Sequence, residues 1–470
     1  MDEVAITSLP PDKFDPILGT ERAREFAETL AHSRRVLEGR TVWHINSTSA
    51  GGGVAEMLQS ILCYLVGAGI TTRWLVIDGN DDFFEVTKRL HHLLHGEPGD
   101  GGPLGPAEHE IYETALAADA ERMAELIQPG DAVVLHDPQT LGLAEALNGR
   151  GANLIWTCHI GADAADKHTR AAWDFLLPYV RHTRAQVFSR RQYAWKCLPP
   201  AGVSVIPPCL DAFSPKNQHL DKAVVDAIID AAGIIADTPR AQPEFLRQDG
   251  ASAKVSNPAE VIEDERIPPG ARLVTQISRW DPLKDHIGVM TGFVEHVTAD
   301  LDAHLVLAGP APESITDDPE GQQSLDELRA AWQALPASQR RRVHLACLPM
   351  DDLEENGAIV NALQRRSNVV VQKSLAEGFG LTVAEAMWKS RPTIGSRVGG
   401  IQDQIEEGVS GRLIDDPEDL PALGRAISEL LTHPEVGERL GSSGHDRVLD
   451  EYLAPRHLTR YLRLIDTVLT

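Results

Sequence analysis

Ten short apolar runs rich in β-branched residues, separated by amphipathic stretches long enough for a helix, constrain this chain more than any other feature. In the first half they are TVWHI (41–45), RWLVI (73–77), AVVLH (132–136), LIWTC (154–158) and VSVI (203–206). In the second half they are RLVTQI (272–277), HLVLAG (304–309), RVHLA (342–346), NVVVQ (368–372) and PTIG (392–395). Strands spaced that widely imply βαβ units and parallel sheets covered on both faces. Two such series imply an α/β chain with two doubly wound, Rossmann-like domains, and 470 residues exceed what one core accommodates.

The expected boundaries follow from composition. Residues 1–215 form the first domain and 272–450 the second. Residues 216–271 begin with one helical pattern and turn polar, acidic and Pro/Gly-punctuated, which reads as an interdomain connection carrying an insertion. In 451–470, Leu458, Tyr461, Leu462, Ile465 and Leu469 form a helical stripe that must pack on something.

Charge and cysteine usage then exclude function classes. The balance of 44 basic against 69 acidic residues, a net charge of −25, disfavours a nucleic-acid or anionic-membrane partner, so any anionic ligand must be held by local groups. Cysteines at 63, 158, 197, 209 and 347, without CxxC spacing, point to reduced thiols and a cytoplasmic setting. The opening residues show no basic and apolar leader pattern, and no apolar run approaches a membrane span.

Within HINSTSAGGGVAEMLQSIL (44–62), Gly51, Gly52 and Gly53 separate a strand from a helix. The helix has one apolar face, because Val54, Met57, Leu58, Ile61, Leu62 and Leu65 fall at offsets 0, 3, 4, 7, 8 and 11. The glycines therefore sit at the carboxyl edge of the first sheet, where ligands of open parallel sheets bind. They would let a ligand reach the main chain and the free amides of the helix start. The stretch fits neither a Walker A loop nor GxGxxG, and the alternative reading is a tight turn that binds nothing.

The second half supplies what the turn lacks. TQISRWDPLKD (275–285) places Arg279 and Lys284 in the loop after the first strand of the second domain. EGFGLTVAEAM (377–387) gives a carboxylate, a Gly-Phe-Gly turn and a helix in which Thr382 and Glu385 have capping-box spacing. A diphosphate ester suits these parts: Arg gives a planar fork, Lys a point charge, and the 378–382 amides neutral donors. Glu377 and Glu385 could hold sugar and ribose hydroxyls. Taken singly, Glu385 could instead close a capping box, and the two cations could be surface charges.

SRWDPLK and EGFGLTVAEAM, with Glu377 and Glu385 separated by seven residues, resemble the donor site of retaining glycosyltransferases of family 4, which have the two-domain GT-B fold. VWHINSTSAGGGVAEML, FFEVTKRLHHLLHG (83–96), LHDPQTLGL (135–143), TCHIGAD (157–163) and VIPPCLDAFSPKN (205–217) resemble the glycosyl-transferring trehalose synthases within it. The resemblance runs from about Phe14 to about 450 and lapses over 233–268. It implies two sheets facing a central cleft, the first domain on the acceptor side and the second binding the nucleotide sugar. It also implies closure about the 216–271 connection and a C-terminal helix that packs back on the first domain.

The implied reaction is reversible transfer of glucose from a nucleoside-diphosphate glucose to the anomeric hydroxyl of glucose, giving α,α-trehalose by front-face displacement. Arg279 and Lys284 would bind the diphosphate and stabilise the leaving charge. Glu377 would contact the donor sugar, the amides of Gly378, Phe379, Gly380 and Leu381 would lie near phosphate and sugar, and Glu385 would hold the ribose. Gly51, Gly52 and Gly53 would approach the donor phosphates and the acceptor. His159 matches a histidine that in related enzymes lies beside the donor glucose, the alternative being a satisfied core imidazole. Asp137 is a candidate for acceptor hydroxyls and equally a turn residue before Pro138. Lys88, His91, His92 and His95 read as a cleft-lining helix, and DGNDD (78–82) as a loop, so neither a cofactor nor an essential metal is implied. The donor base is not legible, since backbone groups near Leu348 and Pro349 would hold any of them. Oligomeric state is open, with a homodimer among the options. Competing readings are a trehalose phosphorylase, a transferase for a related sugar acceptor, and a non-catalytic sugar-nucleotide-binding protein.

Overall fold

All ten apolar runs become strands in the computed structural model, which describes residues 1–49, 53–236, 241–312 and 319–470. The first sheet contains β1 (Asp2–Val4), β2 (Val42–Asn46), β3 (Thr72–Val76), β4 (Ala132–His136), β5 (Asn153–Cys158), β6 (Ala185–Phe188) and β7 (Val203–Val205). Their order is β1-β3-β2-β4-β5-β6-β7, parallel apart from β1, which runs antiparallel on β3. A hairpin of β8 (Glu244–Leu246) and β9 (Ser252–Lys254) follows.

The second sheet holds β10 (Glu260–Ile262), β11 (Arg272–Ile277), β12 (Ala303–Pro310), β13 (Val343–Leu348), β14 (Val369–Gln372), β15 (Thr393–Ser396) and β16 (Arg412–Ile414). Its order is β10-β13-β12-β11-β14-β15-β16, with β10 antiparallel at the edge. The chain reverses its direction of travel across the sheet between β2 and β4 in the first sheet, and between β11 and β14 in the second. Those two switch points are where open α/β sheets present loops to ligands. Doubly wound α/β architecture is thus what both halves adopt.

The chain divides into one unit of Met1–Cys209 with Leu453–Thr470 and another of Leu210–Tyr452. This boundary differs from the composition-based one, because 216–271 lies inside the second unit. The helix Lys222–Ala231 buries Val225, Ala227, Ile228 and Ile229, and Phe245, Val255 and Ile267 join the same core as Leu273 and Val306 of the sheet. After Ile235 apolar residues in that stretch are spread out, but they fall where they can be buried, and β10 extends the sheet. The C-terminal helix Ala454–Leu469 belongs to the first unit, burying Leu458, Tyr461, Leu462 and Ile465, with the Tyr461 hydroxyl 2.7 Å from Thr157 Oγ1.

The helix Gly53–Gly67 buries Met57, Leu58, Ile61, Leu62 and Leu65. At roughly 1.5–3 kcal/mol per buried side chain, that face holds the helix despite its glycine start. The five cysteines are free thiols, four of them buried. Among the described residues no helix is long and apolar enough to cross a membrane.

Candidate functional site

At the switch point of the second sheet, the loops after β11 and β14 bring Lys284 and Glu377 together: Lys284 Nζ donates to Glu377 Oε2 at 2.8 Å. Both side chains are largely buried, at 13% and 11% exposure, so little water screens the pair. Ser374 Oγ donates to the same carboxylate oxygen at 3.1 Å. Arg279 belongs to the same loop but stands apart, with its side chain 65% exposed and 3.4 Å from Asp281. Such an exposed pair is a weak restraint.

The Gly-Phe-Gly turn is shaped by its glycines. Gly380 caps the helix Leu381–Trp388 in the left-handed region, at φ 80°, which a β-carbon would strain. Gly400 donates to the Gly378 carbonyl at 3.0 Å, and a β-carbon there would lie 2.6 Å from Phe379 Cα. Gln404 Nε2 donates to the Phe379 carbonyl at 2.6 Å and the Gly380 carbonyl at 3.2 Å. With those carbonyls turned toward Gln404, the loop is held from behind. Glu385 does not close a capping box, since the helix cap is Gly380 and carries no side-chain bond. It lies buried instead, accepting from Gln364 at 3.3 Å, with Lys216 Nζ 3.9 Å away.

The first unit gathers different chemistry at its own carboxyl edge. Asp137 follows β4 and begins the short helix Asp137–Leu141 with φ 59°, a left-handed conformation costly for a residue other than glycine. Its Oδ1 accepts the His159 amide at 2.8 Å, which ties the end of β4 to the end of β5. Burial pushes the Asp137 carboxyl up to about 7, against the lowering effect of that amide. His159 Nδ1 lies 3.3 Å from Ser189 Oγ, and its Nε2 is buried with no partner among the described residues. Burial lowers its pKa to about 4, so the ring is neutral. Gly53 opens its helix at this edge, while Gly51 and Gly52 lie outside the described residues.

Sequence reasoning missed the imidazoles behind His159. His44 Nδ1 and His136 Nε2 are 3.1 Å apart, and the His136 ring stacks parallel to His159 with centroids 6.0 Å apart. His457 Nδ1 donates to the Pro207 carbonyl at 2.8 Å, which fixes the hydrogen on that nitrogen. With His44 and His136 it lines a small cavity beside Met57 and Leu58. Burial lowers His44 to about 3 and His457 to about 4, and places His136 well below its usual value. Also missed were Arg190, buried after β6 and paired with Asp163, and Lys373, buried after β14 and paired with Asp285. Arg190 is one of two adjacent arginines and Lys373 follows directly on an apolar strand, and no spacing signal marks either.

Of the remaining expectations, Lys88, His91 and His92 lie on the helix Asp81–Leu94, and His95 caps its end. Within DGNDD, Asn80 caps that helix by accepting from Phe83 at 2.9 Å. Among the described residues no three His, Cys, Asp or Glu side chains are grouped to hold a metal.

Comparison with known proteins agrees with both halves. Residues 44–195 match the family model described as trehalose synthase, N-terminal domain, and 259–447 match glycosyl transferases group 1. The trehalose synthase of Rubrobacter xylanophilus is 34% identical over 454 residues, covering 95% of each chain. That of Pyrococcus horikoshii is 31% identical, covering 97% of this chain and 96% of its own. An E. coli trehalose-6-phosphate protein solved bound with UDP-2-fluoro glucose shares the fold, with a TM-score of 0.65 at 13% identity, over 91% of this chain and 99% of that one. The match in sequence over nearly the whole length of both chains, and in the topology of both sheets, means that this chain belongs to the trehalose synthase family of GT-B glycosyltransferases.

Proposed function

We propose that the chain is a retaining glucosyltransferase that forms α,α-trehalose from a nucleoside-diphosphate glucose and glucose, reversibly. The observation that carries this reading is the Lys284–Glu377 pair at the second sheet's switch point, beside the Gly378–Leu381 turn. Without donor, the carboxylate neutralises the lysine. With donor, the diphosphate takes the ammonium and Glu377 is released to accept hydrogen bonds from sugar hydroxyls. Arg279, loosely held, adds a planar fork to the phosphates.

As the C1–O bond breaks, its electron pair goes to the phosphate oxygen, and Lys284 stabilises that charge. The acceptor hydroxyl attacks the same face and gives its proton to the departing oxygen. Asp137 meets acceptor hydroxyls. His159, neutral and with the Ser189 hydroxyl donating to Nδ1, offers the hydrogen on Nε2 to a sugar hydroxyl. Glu385 receives the ribose. The diphosphate charge is met by side-chain cations, so activity should be unchanged by saturating EDTA; loss of activity that returns with a divalent metal would contradict this.

The turn gives a second expectation. Gly400→Ala forces a β-carbon against the Phe379 main chain and should displace the 378–381 amides. Overpacking strain is typically about 1–3 kcal/mol, and where relieving it moves the turn out of its binding position, calorimetry should find nucleoside-diphosphate affinity lowered roughly 5–150-fold. Equal affinity would mean that those amides do not bind the phosphates.

A trehalose phosphorylase would place inorganic phosphate where the donor's phosphate sits, and a binding protein would do no chemistry. Incubation of the protein with glucose and ADP-, UDP- or GDP-glucose, read by anomeric NMR, should show α,α-trehalose with at least one donor. Trehalose with inorganic phosphate should release no glucose 1-phosphate. Release of glucose 1-phosphate would favour the phosphorylase, and no turnover in either direction would favour the binding protein.

A further inference from the structure

We propose that Gln276 is the positioning residue of the Lys284–Glu377 pair, a buried amide that laces together the two loops of the switch point. Gln276 lies near the end of β11 with no exposed surface. Its Nε2 donates to the Lys284 carbonyl at 2.7 Å, and its Oε1 accepts the Lys373 amide at 3.0 Å. One side chain thereby fixes the main chain of the loop after β11 relative to that of the loop after β14.

Neighbouring contacts act in the same sense. The Leu375 amide donates to the Leu283 carbonyl at 2.8 Å. The buried Lys373 ammonium pairs with Asp285, the residue after Lys284. Asp285 is held in the left-handed region at φ 48°, where its Oδ1 accepts the Gly288 amide at 3.0 Å and caps the helix His286–His296. On the other loop, Gln372 Nε2 donates to Ser374 Oγ at 3.1 Å, and Ser374 in turn donates to Glu377. Both members of the pair thus have their backbones or side chains tied to a common buried scaffold.

Packing does not account for this amide. Leucine would occupy much the same space without two polar atoms to satisfy, and a buried polar group is unfavourable unless bonded. What the amide supplies and leucine cannot is a set distance between two strands' loops. Catalytic groups need such support, since a misplacement of about 1 Å costs on the order of 100-fold in rate. The inference rests on reading Lys284 and Glu377 as the donor site.

The test is a double-mutant cycle on the full chain, with Gln276→Leu and Gln276→Glu made alone and on a Lys284→Met background. Each single substitution should lower kcat by roughly 10–100-fold and leave KM for the acceptor within about twofold. On Lys284→Met, Gln276→Glu should cost about twofold or less, because the ammonium whose loop it anchors is gone, and Gln276→Leu should cost less than it does alone, since only Glu377 is left to position. An equal loss in both backgrounds, or no loss in either, overturns the proposal. If Gln276→Leu does not fold, Gln276→Glu decides, since it keeps the size and the acceptor for Lys373 but loses the donor to Lys284. Failure of the wild-type protein to make trehalose would sink the functional reading alone. The cycle would then be read as affinity for ADP, UDP and GDP, with the same pattern expected.

Discussion

Lys284→Ala is expected to lower turnover by about a thousandfold, in the range found when one preorganised donor to a developing charge is removed. That loss is worth about 4 kcal/mol of transition-state stabilisation. It exceeds what the same substitution should do to folding. The Glu377 carboxylate keeps Ser374 as a partner and retains some contact with water, so the stability cost is on the order of 1–3 kcal/mol. Circular dichroism should therefore show a folded variant whose donor turnover has collapsed. Lys284→Arg should recover part of the rate, because charge returns but the compact point geometry does not. Unchanged turnover in Lys284→Ala would remove this residue from the mechanism.

The second large effect is acid instability of the first unit. His44, His159 and His457 have pKa values lowered by burial to about 3, about 4 and about 4. A base whose folded pKa is depressed contributes stability that is present above its unfolded value, about 6.5, and lost as pH falls toward the folded one. Each imidazole contributes a slope of about 1.4 kcal/mol per pH unit in that window. Asp137 opposes them, because its raised pKa of about 7 stabilises the fold as pH falls from 7 toward 4. Three imidazoles against one carboxyl leave a net slope of roughly 3 kcal/mol per unit, and His136 adds to it in the same direction. Against a typical total of about 5–15 kcal/mol, the roughly 6 kcal/mol lost over two pH units removes a large share of this unit's stability. Hydrogen exchange at β4 and β5 should show protection falling steeply between pH 6 and pH 4. Constant protection across that range would mean that the imidazoles are not held neutral by burial.

Much of this architecture was legible because parallel strands covered on both faces must be continuous apolar runs. The strands that escaped notice are those without such runs. AQVF of β6 sits among arginines, and EVI of β10 and RLI of β16 are three residues each. The 216–271 stretch misled for a related reason: Phe245, Val255 and Ile267 are too far apart to show a period, yet each is buried.

The candidate site divides along the same line. Asp137 and His159 follow strand ends directly, and Lys284 and Glu377 lie in the loops after β11 and β14, all in recognisable contexts, so their positions could be read from the chain. Which of them meet could not. Gln276 acts on main-chain groups 8 and 97 residues away, and His44 meets its partner across 92 residues of sequence. Those relations are set by strand order, which local pattern does not encode.

The most direct test is a crystal structure with a nucleoside diphosphate and glucose bound. The account predicts the diphosphate on Lys284 and the amides of Gly378–Leu381, with Glu377 turned from Lys284 toward the sugar. A diphosphate seated away from the ends of β11 and β14, with the Lys284–Glu377 pair still closed, would contradict it.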